Sequence, residues 1–475
     1  MAHRIIIAGG GISGLAAAHR LVELGRKKSL QLELTLLEAG GRLGGSIATE
    51  HVDGFLVESG PDSFISEKPW ALNLCQRLGI TSGLISPQQT RQNLYVVRAG
   101  TLQPLPEGFI LMAPTRFRPL IRSSLFSWTG KLRMALDLFL PRGGTGRDES
   151  LGSFVRRRLG VEVLERLAQP LIGGIYAADP DDLSLSATMP RFLEMERSRR
   201  SIIWSMWLAQ RHRARLVASE SGARWGLFVT LRDGMQTLVE TLATRLPEGT
   251  ARAKTKVIEL AKNNSQQGWT FKTDVGGKFA ADGVILATPA YAAAEALAAL
   301  DPELTRELNT IPYSSTATVN LAYKREDIPG DLDGFGLVVP TIEKRGIIAC
   351  SFSSVKYPNR APDGHELVRA FVGGATQPEL FHQDDRSMET SVREELAALL
   401  GIKAEPVLCR INRHPRALPQ YRVGHPEKAQ RIDELAGKWP ALALAGNAYR
   451  GIGIADSVHS GELAAEKVLA QLTGS

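Results

Sequence analysis

One stretch near the start of the chain narrows the fold more than any other. An apolar, β-branched run, Arg4-Ile-Ile-Ile-Ala8, leads into Gly9-x-Gly11-x-x-Gly14. Residues 14 to 25 then have helix-forming composition, with Gly25 as the expected C-terminal stop. The spacing gives each glycine a task. Gly9 permits a tight turn, Gly11 lets backbone approach a pyrophosphate, and Gly14 lets helix and strand pack closely. The whole loop Gly9-Gly10-Gly11-Ile12-Ser13-Gly14 opens onto a helix N-terminus, whose free N–H groups and partial positive charge suit a phosphate. Residues 31 to 38 read as a second strand ending at Glu38, whose carboxylate can accept hydrogen bonds from both ribose hydroxyls. Strand, helix, strand implies a parallel sheet.

These features serve NAD and FAD alike, and the flanking loops separate the two. Arg42-Leu-Gly-Gly45 can turn tightly against a phosphate-rich cofactor, with Arg42 supplying charge. Glu58-Ser59-Gly60-Pro61-Asp62-Ser63 is a second glycine turn, expected over the flavin. At the far end, Gly446-Asn447-x-x-x-Gly451-Ile452-Gly453-Ile454 precedes a last helix at 455 to 472, whose N-terminus can face an electron-rich flavin edge. Contacts from both chain ends imply non-covalent FAD held by an interrupted domain.

The fold class expected is α/β plus α+β: a Rossmann-like, interrupted FAD-binding domain, a mixed-sheet substrate domain and a helical insertion. At ~100–200 residues per domain, 475 residues make two or three domains. The boundaries read as FAD-binding parts at 1–90, 218–300 and 411–475, a helical domain at 91–217 and a substrate domain at 301–410. Short runs at 317–323, 334–339, 347–352 and 367–372 supply the second sheet. Residues 110 to 225 carry 19 Arg plus Lys against 11 Asp plus Glu, more than the whole chain's surplus of 7. That basic helical face suits anionic lipid or a carboxylated substrate. No nucleic-acid motif accompanies it.

Three separated cysteines, Cys75, Cys350 and Cys409, speak against a disulfide framework or zinc site, and no metal is expected. The glycines within Ile5–Ala18 argue against a signal peptide, and no uninterrupted run of ~18 apolar residues occurs. The expected location is cytoplasmic, with the helical part peripheral on the cytoplasmic face of a membrane. No Ser-His-Asp or Cys-His arrangement is visible among scattered histidines, including His414, His425 and His459. A flavin would carry the redox chemistry itself.

Four further stretches resemble the protoporphyrinogen oxidase family of haem biosynthesis, within the amine-oxidase-like flavoproteins. They are Pro170-Leu-Ile-Gly-Gly174-Ile-Tyr-Ala-Ala-Asp-Pro-Asp-Asp-Leu-Ser184 with Ala187-Thr-Met-Pro190, and Gly334-Phe335-Gly-Leu-Val338-Val-Pro340. The others are Leu418-Pro-Gln-Tyr-Arg-Val-Gly-His425 and Gly446-Asn-Ala-Tyr-Arg-Gly-Ile-Gly-Ile454. The resemblance implies oxidation of a porphyrinogen to the porphyrin in three two-electron steps. Hydride would pass from a meso carbon to flavin N5 without a side-chain base, and oxygen would reoxidise the flavin. Protoporphyrinogen IX is the first substrate implied and coproporphyrinogen III the alternative, with a flavin amine oxidase as a further reading. Partners implied are the porphyrinogen and molecular oxygen, with an anionic membrane surface and a second copy of the chain as further candidates.

Carried over residue by residue, Gly174 matches a position whose backbone carbonyl faces the pyrrole NH groups. Phe335 and Val338 match positions that sandwich the macrocycle, with Phe371 on the same wall. Gly9, Gly11, Gly14, Glu38, Arg42, Ser46, Gly60 to Ser63, Val257 and Ile452 to Ile454 match cofactor positions. The family's propionate-binding basic residue falls at Gln92, which leaves Arg91 and Arg98 as alternatives. Ala178 stands where the family has glycine.

Overall fold

The computed structural model describes residues 2–88, 93–110, 112–114, 116–143, 148–217, 227–263 and 268–474. In it, His3–Ala8 is the central strand of a five-stranded sheet. Leu32–Leu37 and Gly283–Leu286 flank it, with Ala251–Arg252 and Leu442–Leu444 at the edges, and every pair is parallel. A parallel sheet is covered on both faces, which the sequence supplies as unbroken apolar runs. Ile5 and Ile7 point into a core under the helices Ile12–Lys28 and Ile454–Thr473, while Ile6 and Ala8 point into a second core containing Trp269, Phe271 and Ala290. The two helices come from opposite ends of the chain and touch backbone to backbone. A Cβ on Gly461 would lie 2.1 Å from the Ser13 carbonyl oxygen.

One local expectation fails. Gly25 does not stop the first helix, which runs on to Lys28 and ends at Ser29, in left-handed conformation with φ 54°. Gly25 is inside the helix because its bare Cα receives the Leu32 side chain of the next strand.

The second sheet has seven strands in the order Leu408–Pro419, Tyr313–Lys324, His365–Gly373, Ala349–Phe352, Gly336–Val338, Leu94–Arg98 and Thr101–Pro104. Only the contact between Gly336–Val338 and Leu94–Arg98 is parallel. The sheet reaches across both boundaries read from the sequence. Residues 94–104, assigned there to the helical domain, and 411–419, assigned to the FAD-binding part, are strands of it. Between the sheets in sequence, helices fill Phe117–Arg122, Trp128–Ala135, Leu151–Arg158, Gln169–Tyr176, Pro190–Arg199 and Ile202–Val217. Their core holds Phe154, Leu167, Ile172 and Phe192, and a fully buried Arg158 whose Nε donates to Asp137 at 2.7 Å. Among the described residues, no helix is long and apolar enough to cross a membrane.

Candidate functional site

The glycine loop adopts the conformation its spacing predicts. Gly9 has φ 104°, and a Cβ on Gly14 would stand 1.9 Å from the Gly9 carbonyl oxygen, so helix and strand meet without side chains between them. Gly11 differs, since a Cβ there would meet nothing within 4 Å. That open space lies at the N-cap of Ile12–Lys28, with Ser13 buried just inside. Glu38 follows the second strand. Its carboxylate accepts from Gly10 N at 2.7 Å and Gly40 N at 2.6 Å, fixing it beside the loop with acceptor capacity left over. The Lys254 and Thr255 amides donate to the Gly40 and Glu38 carbonyls, which brings Val257 alongside.

Arg42 is tied into its own loop. Its guanidinium donates to the carbonyls of Leu43, Gly45 and Ile47, bracing the loop that contains Gly44 and Gly45. Ser46 lies against the second turn, where a Cβ on Gly60 would sit 2.0 Å from the Ser46 oxygen.

That second turn rests on one face of the seven-stranded sheet. Thr318 Oγ1 and His414 Nε2 both bond the Ser59 carbonyl at 2.8 Å, and Arg369 donates to the Gly60 carbonyl at 2.7 Å. Asp62 is held between Lys356 at 3.1 Å and Arg369 at 3.2 Å, with Ser63 donating at 2.7 Å. Burial alone would raise the Asp62 carboxyl, but the two cations hold it well below the usual carboxylate range. Burial pushes His414 down, toward a neutral ring.

Strand register shows what else that face carries. Thr318 pairs with Phe371, Phe371 with Ala349, Ala349 with Val338, and Val338 with Val96, giving one continuous row. Gly174 lies above it, where its Cβ would be 3.9 Å from that of Ala349. Gly174, Val338 and Phe371 are therefore together, and the Ser59–Asp62 turn covers the neighbouring strands. Gly174 belongs to the last turn of Gln169–Tyr176, where helix carbonyls lack an onward helical donor. A π-helical turn, Leu164–Ala168, precedes that helix. Phe335 is half-buried just ahead of its strand, its amide bonded to the Asn93 carbonyl. Arg98 follows Val96 by two residues at the hairpin end, on the same face but on a strand four places across the sheet from Tyr313–Lys324. Arg91 and Gln92 lie outside the described residues.

The C-terminal loop closes the arrangement. Gly446 and Gly451 have φ of 127° and 110°, and Gly453 caps the final helix. Ile452 packs against the helical core and Ile454 against the nucleotide core. Lys68 bonds Asp456 at 2.6 Å in the first turn of that helix.

Several groups here went unread in the sequence: Thr288, Thr318, Lys356 and Arg369. The available signal was the strand Tyr313–Lys324, where Thr316, Thr318 and Asn320 alternate with Ala317, Val319 and Leu321, yet all six are buried. A polar face that is not exposed must meet something polar. Thr288 Oγ1, Asn320 Nδ2, Asn412 Nδ2 and Arg369 Nε are buried without a partner. A Cβ on Gly9 would stand 3.2 Å from Thr288 Cγ2, and one on Gly446 3.9 Å from the Thr288 carbonyl oxygen. An FAD fits this arrangement, with room at Gly11 for phosphate and unsatisfied polar groups between the loops.

The comparisons agree. Residues 12–469 match the model of the flavin containing amine oxidoreductase family. The chain is 37% identical over 471 residues to a coproporphyrinogen III oxidase of Bacillus subtilis (strain 168), covering 98% of each. It is 28% identical to protoporphyrinogen oxidase 2 of Arabidopsis thaliana, covering 99% of this chain and 94% of the other. A crystal structure from Exiguobacterium sp. 255-15, assigned provisionally to protoporphyrinogen oxidase, superposes with a TM-score of 0.85 at 32% identity over 99% of both chains. The chain belongs to the flavin containing amine oxidoreductase family and is an FAD-dependent oxidoreductase.

Proposed function

We propose that this enzyme oxidises a porphyrinogen to the porphyrin, with coproporphyrinogen III as the preferred substrate. The observation that carries the reading is the row Phe371, Ala349, Val338 under Gly174, beside the Ser59–Asp62 turn. An apolar wall beside a glycine in the last turn of a helix, where carbonyls are free of helical donors, suits a broad, apolar ring with NH donors at its centre. Phe335, Val338 and Phe371 would hold the macrocycle and Gly174 O its pyrrole NH groups. The glycine loop, Glu38, Arg42, Ser46, Gly60–Ser63, Val257 and Ile452–Ile454 would hold the cofactor. Bound FAD would supply two-electron acceptance, three times per porphyrin. The chain's part is to orient the ring and exclude water. The rank of substrates follows from identity: 37% to the coproporphyrinogen III oxidase against 28% to the protoporphyrinogen oxidase. Protoporphyrinogen IX, first on the sequence reading, is the second candidate. The functional parts would be 1–90, 218–300 and 420–475 for FAD, 94–104 with 301–419 for substrate, and the helices between.

The test is porphyrin fluorescence from both porphyrinogens in parallel, with and without oxygen. Oxygen-dependent fluorescence, faster with coproporphyrinogen III, is expected. A flavin spectrum with no fluorescence from either would sink the reading.

We also propose that the helical part rests on an anionic bilayer. Trp128, Leu132, Leu136 and Phe139 fall at helical spacing and are 66%, 68%, 49% and 75% exposed. Exposed Arg116, Arg118 and Arg122 lie nearby in sequence. An apolar stripe beside basic groups suits an interfacial helix.

A further inference from the structure

The stretch Leu418–His425 had a sequence signature but no task. Its side chains reach two different elements. Gln420, nearly buried, donates from Nε2 to Ser314 Oγ at 2.9 Å and to the Tyr176 carbonyl at 3.2 Å. Tyr176 ends the helix that carries Gly174. The next residue, Tyr421, is 1% exposed and turns to the C-terminal glycine loop. Its hydroxyl donates to the Asn447 carbonyl at 2.6 Å and accepts from Gly451 N at 2.8 Å, closing the loop as a staple. The Tyr421 ring stacks on His425 at 3.9 Å, and His425 Nε2 bonds the Tyr449 carbonyl of the same loop at 3.0 Å. The backbone is tied as well, since Ser184 N donates to the Tyr421 carbonyl at 2.7 Å and Val423 N to the Asp182 carbonyl at 3.0 Å.

We infer that this stretch is a bracket that sets the spacing between the flavin loop and the helix holding Gly174. Tyr421 and His425 are positioning residues for the loop Gly446–Gly453, and Gln420 is a positioning residue for the Gly174 turn. The inference rests on the roles proposed above for that loop and that helix. The reason for such a bracket is geometric. Donor and acceptor in a hydride transfer must be held to a fraction of an ångström, and groups on separate elements keep that spacing only if a third element ties both. Gln420 and Tyr421 follow directly on the strand Leu408–Pro419, and their side chains reach the two different elements.

The two halves separate in near-isosteric variants of the full-length holoenzyme. FAD release on dilution is followed by flavin fluorescence, the visible flavin band is recorded, and coproporphyrin III affinity is read by quenching. Y421F should release FAD about tenfold faster, since both staple bonds are lost, and should shift the flavin band, with porphyrin affinity unchanged. Q420M should hold FAD like wild type and bind porphyrin several-fold more weakly. Wild-type FAD release from Y421F, or the same defect in both variants, overturns the bracket. If wild type binds no tetrapyrrole, the proposed function and the Gln420 half fall together, while FAD release still decides the Tyr421 half.

Discussion

Gly60 and Asp62 stand two residues apart and depend on different physics. A methyl on Gly60 would collide with the Ser46 backbone at 2.0 Å, and neither segment is a flexible side chain. Gly60→Ala should therefore push the two turns apart at a cost of about 1–3 kcal/mol and purify largely without flavin. The flavin-to-protein absorbance ratio measures this, and a wild-type ratio would show the turn to be unimportant. Asp62 instead neutralises two cations, the buried Arg369 and the half-buried Lys356. Asp62→Ala leaves Lys356 and Arg369 uncompensated and should cost about 3–5 kcal/mol, read as a lower denaturation midpoint. A change within ~0.5 kcal/mol would mean that water had taken the carboxylate's place. The glycine was legible in the sequence because only glycine tolerates such an approach. The cation pair was not, because each of Lys356 and Arg369 looks like any lone charge until the fold brings Asp62 between them.

At the scale of elements, pH acts through the segment that ends at His425. Burial lowers the pKa of this histidine from 6.5 to about 4, with its Nε2–H given to Tyr449. Lys428 and Arg450 add to the lowering, and Asp148 opposes it. The unfolded chain takes up the proton first on acidification. Stability is thus full above about pH 6.5 and falls toward pH 4, by up to about 3 kcal/mol. His425→Gln should show a shallower fall in Tm over that range, and an identical slope would exclude His425 as its source. The nucleotide elements were readable because strand, glycine loop and helix are adjacent in sequence. The strands Leu94–Arg98 and Thr101–Pro104 were not, because the pairing of Val96 with Val338 spans more than half the chain and leaves no local mark. The same holds for Leu408–Pro419, whose Asn412 and His414 make sense only opposite Thr318 and Thr316.

Over the whole molecule, the excess positive charge and the exposed apolar stripe occupy one insertion, the helical part. Binding to vesicles with anionic headgroups should be detectable at low salt and weaken as salt rises, at about 1 kcal/mol per basic group near the surface. Trp128→Glu with Phe139→Glu should abolish flotation with the vesicles while leaving the flavin spectrum intact. No flotation of the wild type at low salt would remove the membrane from the account. The central sheet has another kind of consequence. Its middle strand is made at residues 3–8, but its neighbour at 283–286 and its edge at 442–444 come much later. At about 5–20 residues per second, the ribosome needs on the order of half a minute between the first strand and the last. Throughout that interval Ile5, Ile6 and Ile7 lack part of their cover, which exposes the nascent chain to aggregation. Flavin capture is then the closing event of biosynthesis, and ribosome-stalled chains shorter than about residue 442 should retain no FAD.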